Sequence, residues 1–411
     1  MAAVFIWIVF LASIACVLTR PRRVAEAWWA CLGALVLVVT GLLPLTAAGR
    51  ALRDGVDVYL FLAGMMVLAE LAREKGVFDW IAVLAASHAR GSPRRLFLLI
   101  YAAGTAVTAL LSNDATAVVL TPAVLAIVRR LEVNPRPHLL ACALVANAAS
   151  FLLPISNPAN LVIFGSHLPP LSRWLATFFL PSITAVLLTY FALRWLSRGD
   201  LRGAMKATLP EMRLVLEGRL ALAGLVLAGA VMIGASALGV PLGAPTCVAA
   251  LVAAGIVAWH DRRVPGTLAR NVSWSVIPLV AGLFVLVAGL QRAGALDLAV
   301  RGLREASHLS APLSHLAVAF TVALLSNVMN NLPVGLLGGA AVQAAGVPGA
   351  AHVVLVGVDL GPNLSVTGSL ATILWLIALR RERVEITFWE FFRVGLVVMP
   401  VALLGAILVL N

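Results

Sequence analysis

Four polar runs interrupt an otherwise apolar sequence, and they hold the side chains able to do chemistry. The first is Ser112-Asn113-Asp114-Ala115-Thr116. The second is Ser326-Asn327-Val328-Met329-Asn330-Asn331-Leu332-Pro333. The third extends from Asn147 to Asn160, and the fourth from Asp359 to Ser369. Amides and hydroxyls can both donate and accept hydrogen bonds. Ser112, Asn113, Thr116, Asn147, Ser150, Ser156, Asn157, Asn160, Ser326, Asn327, Asn330, Asn331, Asn363, Ser365, Thr367 and Ser369 therefore suit a solute that presents hydroxyls. Asp114 and Asp359 add carboxylates that can take up and release a proton. The runs contain no Lys or Arg, which favours a neutral solute or a cation, although helix dipoles alone can also hold an anion.

The rest of the chain says where such runs must sit. Of 411 residues, 62% are apolar and 12% are charged, and the mean hydropathy is +1.01. Soluble domains carry about twice that share of charge. The composition excludes a soluble enzyme, a disordered chain and a nucleic-acid-binding protein; it is that of an all-α polytopic membrane protein. The excess of 30 Lys+Arg over 18 Asp+Glu fits basic cytoplasmic loops. The first apolar stretch reads as a retained helix, since no basic segment precedes it and no clear cleavage site follows.

A crossing needs roughly 20 apolar residues. Ten stretches qualify: 3–19, 29–48, 57–73, 137–166, 174–196, 219–239, 244–260, 273–291, 350–379 and 389–410. Segments 77–89 and 294–307 are shorter and more polar, and read as interfacial. Stretches 96–131 and 312–346 are apolar but interrupted midway, and read as re-entrant hairpins. The runs in 137–166 and 350–379 hold Pro154, Pro158, Gly361, Pro362 and Gly368, which make those two helices broken ones. With Arg20, Arg22 and Arg23 cytoplasmic, both termini face outward. The first hairpin then enters from the cytoplasm and the second from outside.

Two halves are legible. Leu62-Ala63-Gly64 matches Val280-Ala281-Gly282, and Asp79 matches Asp297, at a spacing of 218. Leu110-Leu111-Ser112-Asn113 matches Leu324-Leu325-Ser326-Asn327 at 214. Residues 1–197 and 219–411 then form two repeats, joined by a basic cytoplasmic linker at 198–218. Five crossings in each make the repeats inverted, so their broken helices and hairpin tips meet near the midplane. There an intramembrane carboxylate marks an ion or proton path. Asp114 begins the second helix of its hairpin and reads as a cap, which leaves Asp359 as the favoured proton carrier. Glu70 is expected to pair with Arg73. His167, His308, His315 and His352 read as interfacial, and Cys16, Cys31, Cys142 and Cys247 show no metal-ligand spacing. No nucleotide loop or cofactor motif occurs.

These runs resemble the arsenical-pump membrane protein family of the ion transporter superfamily. Asp114-Ala115-Thr116 through Leu120-Thr121-Pro122 is similar to one family run, and Ser326 through Pro333 to its Met-Asn-Asn-x-Pro signature. Asp359-Leu360-Gly361-Pro362 followed by Gly368-Ser369-Leu370-Ala371-Thr372 matches its most distinctive stretch. Asn147 stands where better-known members carry Asp, and the tripeptide around Ser112 also differs. The resemblance implies a plasma (inner) membrane exporter of arsenite and antimonite, working by proton antiport. It also implies that a cytosolic arsenical-pump ATPase can be a partner. Such a protein is a transporter, with no cofactor. The residues alone leave open a Na⁺/H⁺ antiporter, a dicarboxylate carrier, or a passive channel subunit driven by an ATPase. Trivalent arsenic also favours thiolates, and Cys142 is the cysteine nearest a polar run.

Overall fold

The computed structural model describes residues 1–165, 168–203, 205 and 212–410, which are helical with no strand among them. The first half comprises α1 (Ala2–Thr19), α2 (Glu26–Val39), α3 (Leu45–Asp54), α4 (Val56–Glu74), α5 (Val77–His88), α6 (Pro93–Leu110), α7 (Thr121–Arg130), α8 (Pro135–Ala148), α9 (Pro158–Phe164) and α10 (Leu171–Leu196). The second comprises α11 (Leu216–Ala237), α12 (Gly243–His260), α13 (Val264–Asn271), α14 (Val276–Leu290), α15 (Leu296–Ser307), α16 (Ala311–Met329), α17 (Asn331–Ala345), α18 (Ala350–Leu360), α19 (Leu370–Arg381) and α20 (Phe388–Leu408). Each half thus runs through a helix hairpin and then a broken helix. Among the described residues, seven helical stretches are long and apolar enough to cross a membrane, or eight if α3 and α4, bent by 46°, count as one.

Several boundaries differ from expectation. The stretch 29–48 is not one helix: it ends at Val39, turns, and restarts as α3, an amphipathic helix ending in Arg53 and Asp54. Segment 294–307 continues from α14 through a wide π turn at Gln291–Ala295. α11 begins at Leu216, so Leu216, Glu217 and Gly218 at the end of the expected linker are helical. Part of the linker, and His167, lie outside the described residues. α16 has 19 residues, enough to cross on length alone, yet the chain reverses at Asn330. Its start at Ala311 shares a small cavity with Val347 and Pro348, just past α17, so the two ends of this hairpin lie together.

Local sequence explains the helix starts. Ser92 and Asn134 cap α6 and α8, each followed by proline at the first helical position. Asn157-Pro158 does the same for α9. A capping oxygen satisfies an orphan amide there, and proline costs nothing where no donor is needed.

The halves pack across each other through α4 on α12 and α2 on α14. The repeated glycines make these crossings close. A Cβ on Gly64 would stand 2.8 Å from the carbonyl carbon of Thr246, and one on Gly282 the same distance from that of Ala30. Both ends of the α4–α12 crossing are tied. Asp57 Oδ1 accepts the Gly243 amide at 2.7 Å, and Lys75 Nζ lies 2.6 Å from Asp261 Oδ2. Burial pulls the Lys75 ammonium down, but its bonds to Asp261 and Glu74 outweigh this and hold it above the ordinary 10.5. The bond to Lys75 and the Arg263 amide hold the Asp261 carboxyl below its ordinary 3.8. A raised lysine contributes below its unfolded pKa and loses that contribution as pH rises; a depressed carboxyl loses it as pH falls. The melting-temperature difference between wild type and Lys75→Met is therefore expected to stay flat between about pH 4 and 10 and to shrink outside that window. A difference that changed across neutral pH would refute this account of the tie.

Two cavities, of about 750 and 790 Å³, lie at opposite ends of α4. Asp57 and Val58 line the first, and Phe61 through Arg73 reach along the second. α14 runs the other way, with Val276 at the second cavity and Val287 at the first. α9 starts at Pro158 on the second cavity and reaches the first at Leu161. The wall between them is therefore about one helical turn thick on both α4 and α9.

Candidate functional site

At that wall the polar runs converge. A void of about 20 Å³ is lined by Asn113, Asp114, Asn157, Asn331 and Ser369, with Leu62 and Val280 among its apolar residues. It has room for about one water molecule. Three of its polar residues sit at helix starts. Asn157 Oδ1 accepts from Ala159 N, Ser369 Oγ accepts from Ala371 N, and Asn331 begins α17. Their amides and the positive ends of their dipoles favour electronegative atoms. Among the described residues, no Lys or Arg lines the void. Leu62 and Val280 occupy matching positions in the repeated tripeptides, a signal of the site that polarity alone does not reveal.

The broken helices are fastened to each other. Asn157 Nδ2 donates to Asp359 Oδ1 at 2.7 Å, and Asn147 Nδ2 donates to Asn363 Oδ1 at 3.0 Å. Asn363 Nδ2 continues to Leu144 O at 3.1 Å. Within the first break, Ser150 Oγ donates to Asn147 O, and Asn160 Nδ2 donates to Ser150 O. These bonds satisfy backbone that the irregular segments release, as a nonpolar surrounding requires.

Each hairpin tip is docked on the break of its own half. In the first, the chain turns at Leu111 and Ser112, and the return is a wide π turn at Ala115–Leu120. Ser112 Oγ accepts from Ala115 N, Thr116 Oγ1 donates to Gly104 O, and Ser156 Oγ donates to Ala109 O. In the second, the turn is Asn330 alone, with φ of 74°. Asparagine tolerates positive φ better than most residues. Asn327 Nδ2 donates to Ala323 O and Gly361 O while its Oδ1 accepts from Ser365 Oγ. Thr367 Oγ1 donates to Asn327 O, Asn330 Nδ2 to Thr367 O, and Asn331 N to Gly368 O. Ser326 Oγ donates to Val322 O in its own helix. Asn327 and Asn330 thus spend their amides inside the protein, whereas Asn113 and Asn331 face the void.

The carboxylates occupy unlike places. Asp114 lines both the void and the second cavity, and among the described residues no hydrogen bond reaches its carboxyl; it caps no helix, contrary to the reading from position. Asp359 is 1% exposed, its Oδ2 has no partner, and it lines neither cavity nor void. The second cavity also carries Glu70, Arg73, Asp79, Arg270, Arg381 and Glu382, which polarity within the runs could not indicate. Arg73 pairs with Glu70 at 2.5 Å, as its spacing implies. Cys142 is fully buried beside Thr121 and lines neither the void nor the two large cavities.

The citrate transporter family profile matches residues 4–358, most of the chain, and ends just before the fourth polar run. The chain belongs to the citrate transporter family. The chain is similar to an arsenical pump membrane protein of Escherichia coli strain K12, 28% identical over 414 residues, covering 96% of this chain and 95% of the relative. A second Escherichia coli protein of the same name is 27% identical over 407 residues, with the same coverage. An uncharacterized transporter of Mycobacterium tuberculosis is 28% identical over 419 residues, covering 94% and 93%. The fold is also that of the Alcanivorax borkumensis YdaH transporter: the TM-score is 0.57 at 14% identity, covering 93% of this chain and 96% of that one. This citrate transporter family member is a multi-pass membrane transporter, and the resemblance drawn from its motifs meets relatives of the expected name.

Proposed function

We propose that the protein exports arsenite and antimonite across the plasma (inner) membrane in exchange for protons. The observation that carries this reading is the lining of the void: three side-chain amides, a hydroxyl and a carboxylate, with no Lys or Arg among the described residues. Arsenous acid is neutral at pH 7 and presents three hydroxyls, which such groups can both donate to and accept from. A polyanion such as citrate would meet Asp114 without a counter-cation. The relatives named arsenical pump membrane proteins support the same substrate. Of the sixteen amide and hydroxyl residues, Asn113, Asn157, Asn331 and Ser369 contact the solute in this reading, once the void, which here has room for about one water, widens to admit it; the others hold the segments that present them. Asp114 and Asp359 are the candidates for coupling.

In the same proposal, residues 1–197 and 219–411 are inverted repeats joined by a cytoplasmic linker, with both termini outside. The opposite directions of α4 and α14 favour it. The second cavity, whose rim carries Arg270 and Arg381, then faces the cytoplasm. A cytosolic ATPase can add drive without altering the site.

The test is uptake into inverted vesicles under an imposed pH gradient, with arsenite and citrate in parallel. Arsenite uptake that collapses with the gradient is expected; uptake of citrate alone sinks the proposal. Asn113→Ala and Asn331→Ala each leave a substrate hydroxyl unpaired, at about 1–3 kcal/mol. Arsenite half-saturation is expected to rise roughly 5- to 150-fold in each. Wild-type half-saturation in both variants would remove the void as the binding site.

A further inference from the structure

The two carboxylates look alike in sequence, and their surroundings separate them. A transported proton needs a group that water reaches in some state of the cycle and that can change charge without releasing a structural bond. Asp114 meets both requirements. It stands between the void and a cavity of about 790 Å³, and no hydrogen bond among the described residues holds its carboxyl. The ionisable groups sharing that cavity are Glu70, Arg73, Asp79, Arg270, Arg381 and Glu382. Glu70 is paired with Arg73, and Glu382 lies 3.7 Å from Arg129, while the void adds no further ionisable group.

Asp359 meets neither. It is sealed from both large cavities, and its Oδ1 holds the Asn157 amide. Asn157 in turn turns its own oxygen to the Ala159 amide at the start of α9 and lines the void. Removing the Asp359 acceptor frees the Asn157 amide to rotate, which disturbs both the α9 cap and the void wall. Among the described residues Asn157 is the side chain that donates to it, and it is uncharged; the Ser150 hydroxyl donates to Asn147 O instead.

Building on the antiport reading, we infer that Asp114 alone carries the exchanged proton, and that Asp359 is a positioning residue that orients Asn157 in the substrate site. An asparagine at 359 still presents an oxygen to Asn157; a leucine does not. The two roles therefore separate by isostere.

The test uses the full chain in proteoliposomes, reading arsenite flux and internal pH together in wild type, Asp114→Asn, Asp114→Glu, Asp359→Asn and Asp359→Leu. Asp114→Asn is expected to exchange arsenite for arsenite while moving no proton, with a rate independent of pH; Asp114→Glu restores a pH-dependent rate. Asp359→Asn keeps the wild-type ratio of protons to arsenite. Asp359→Leu keeps that ratio and pH profile while arsenite half-saturation rises roughly tenfold, the loss of one buried hydrogen bond. Proton coupling that survives in Asp114→Asn, or vanishes in Asp359→Asn with arsenite exchange intact, overturns the assignment. A wild-type protein that moves arsenite without protons overturns the antiport reading instead, and the assignment with it.

Discussion

Asn327→Leu is expected to reduce transport below about one tenth of wild type, because it leaves several buried polar groups unpaired at once. The Asn327 side chain links its own helix, through Ala323 O, to the unwound segment through Gly361 O and Ser365 Oγ. Leucine has similar bulk but no polar atom. Gly361 O and Ser365 Oγ then lose their Asn327 partner, at about 1–3 kcal/mol each where no replacement forms. Gly368 also leaves the room in which Asn327 sits, since a Cβ there would stand 2.8 Å from Asn327 Oδ1. The second hairpin should separate from its break and carry Asn331 away from the void. Arsenite flux in vesicles, normalised to folded protein by size-exclusion chromatography, measures this. Normal flux in a folded Asn327→Leu protein would show that docking of this tip is dispensable.

Gly395→Val should be among the most damaging of the conservative apolar substitutions. α20 crosses the second break at Gly395, where an added Cβ would press on the carbonyl oxygens of Asn363 and Leu364. Both neighbours are backbone, so no rotamer change relieves the contact. On its other side, Gly361 is already pressed against α16, where a Cβ would stand 2.7 Å from Ala323 Cα. The segment therefore has nowhere to retreat. Overpacking usually costs about 1–3 kcal/mol, and this site should lie at or above the upper end. The expected result is a clear fall in melting temperature in detergent, with Gly395→Ala showing a smaller fall. An unchanged melting temperature for valine would mean that α20 is free to shift away.

These two sites mark what could be read in advance. The breaks and hairpins were legible because proline, glycine and asparagine interrupt apolar runs only where backbone must leave the helix. Asn157-Pro158 announces a helix start as well as a break, since capping is local. The pairings of Asn157 with Asp359 and Asn147 with Asn363 were not legible, because each joins residues from different halves of the chain. Asp114 was misread as a cap because position within a helix does not reveal which way a carboxyl turns. α3 was hidden because it follows α2 after one short turn, and a hydropathy window runs across both.

The thin wall between the cavities has an electrical meaning. Val58 and Phe61 on α4, and Pro158 and Leu161 on α9, face opposite cavities from adjacent turns. Where both cavities hold electrolyte, most of a membrane voltage falls across this wall instead of the full bilayer, over one turn at α4 and α9 and over about two along α14. A unit charge crossing the whole drop gains or loses about 2.3 kcal/mol per 100 mV. A displacement of a few ångströms at Asp114 would then do a sizeable share of the electrical work otherwise requiring passage through much of the membrane.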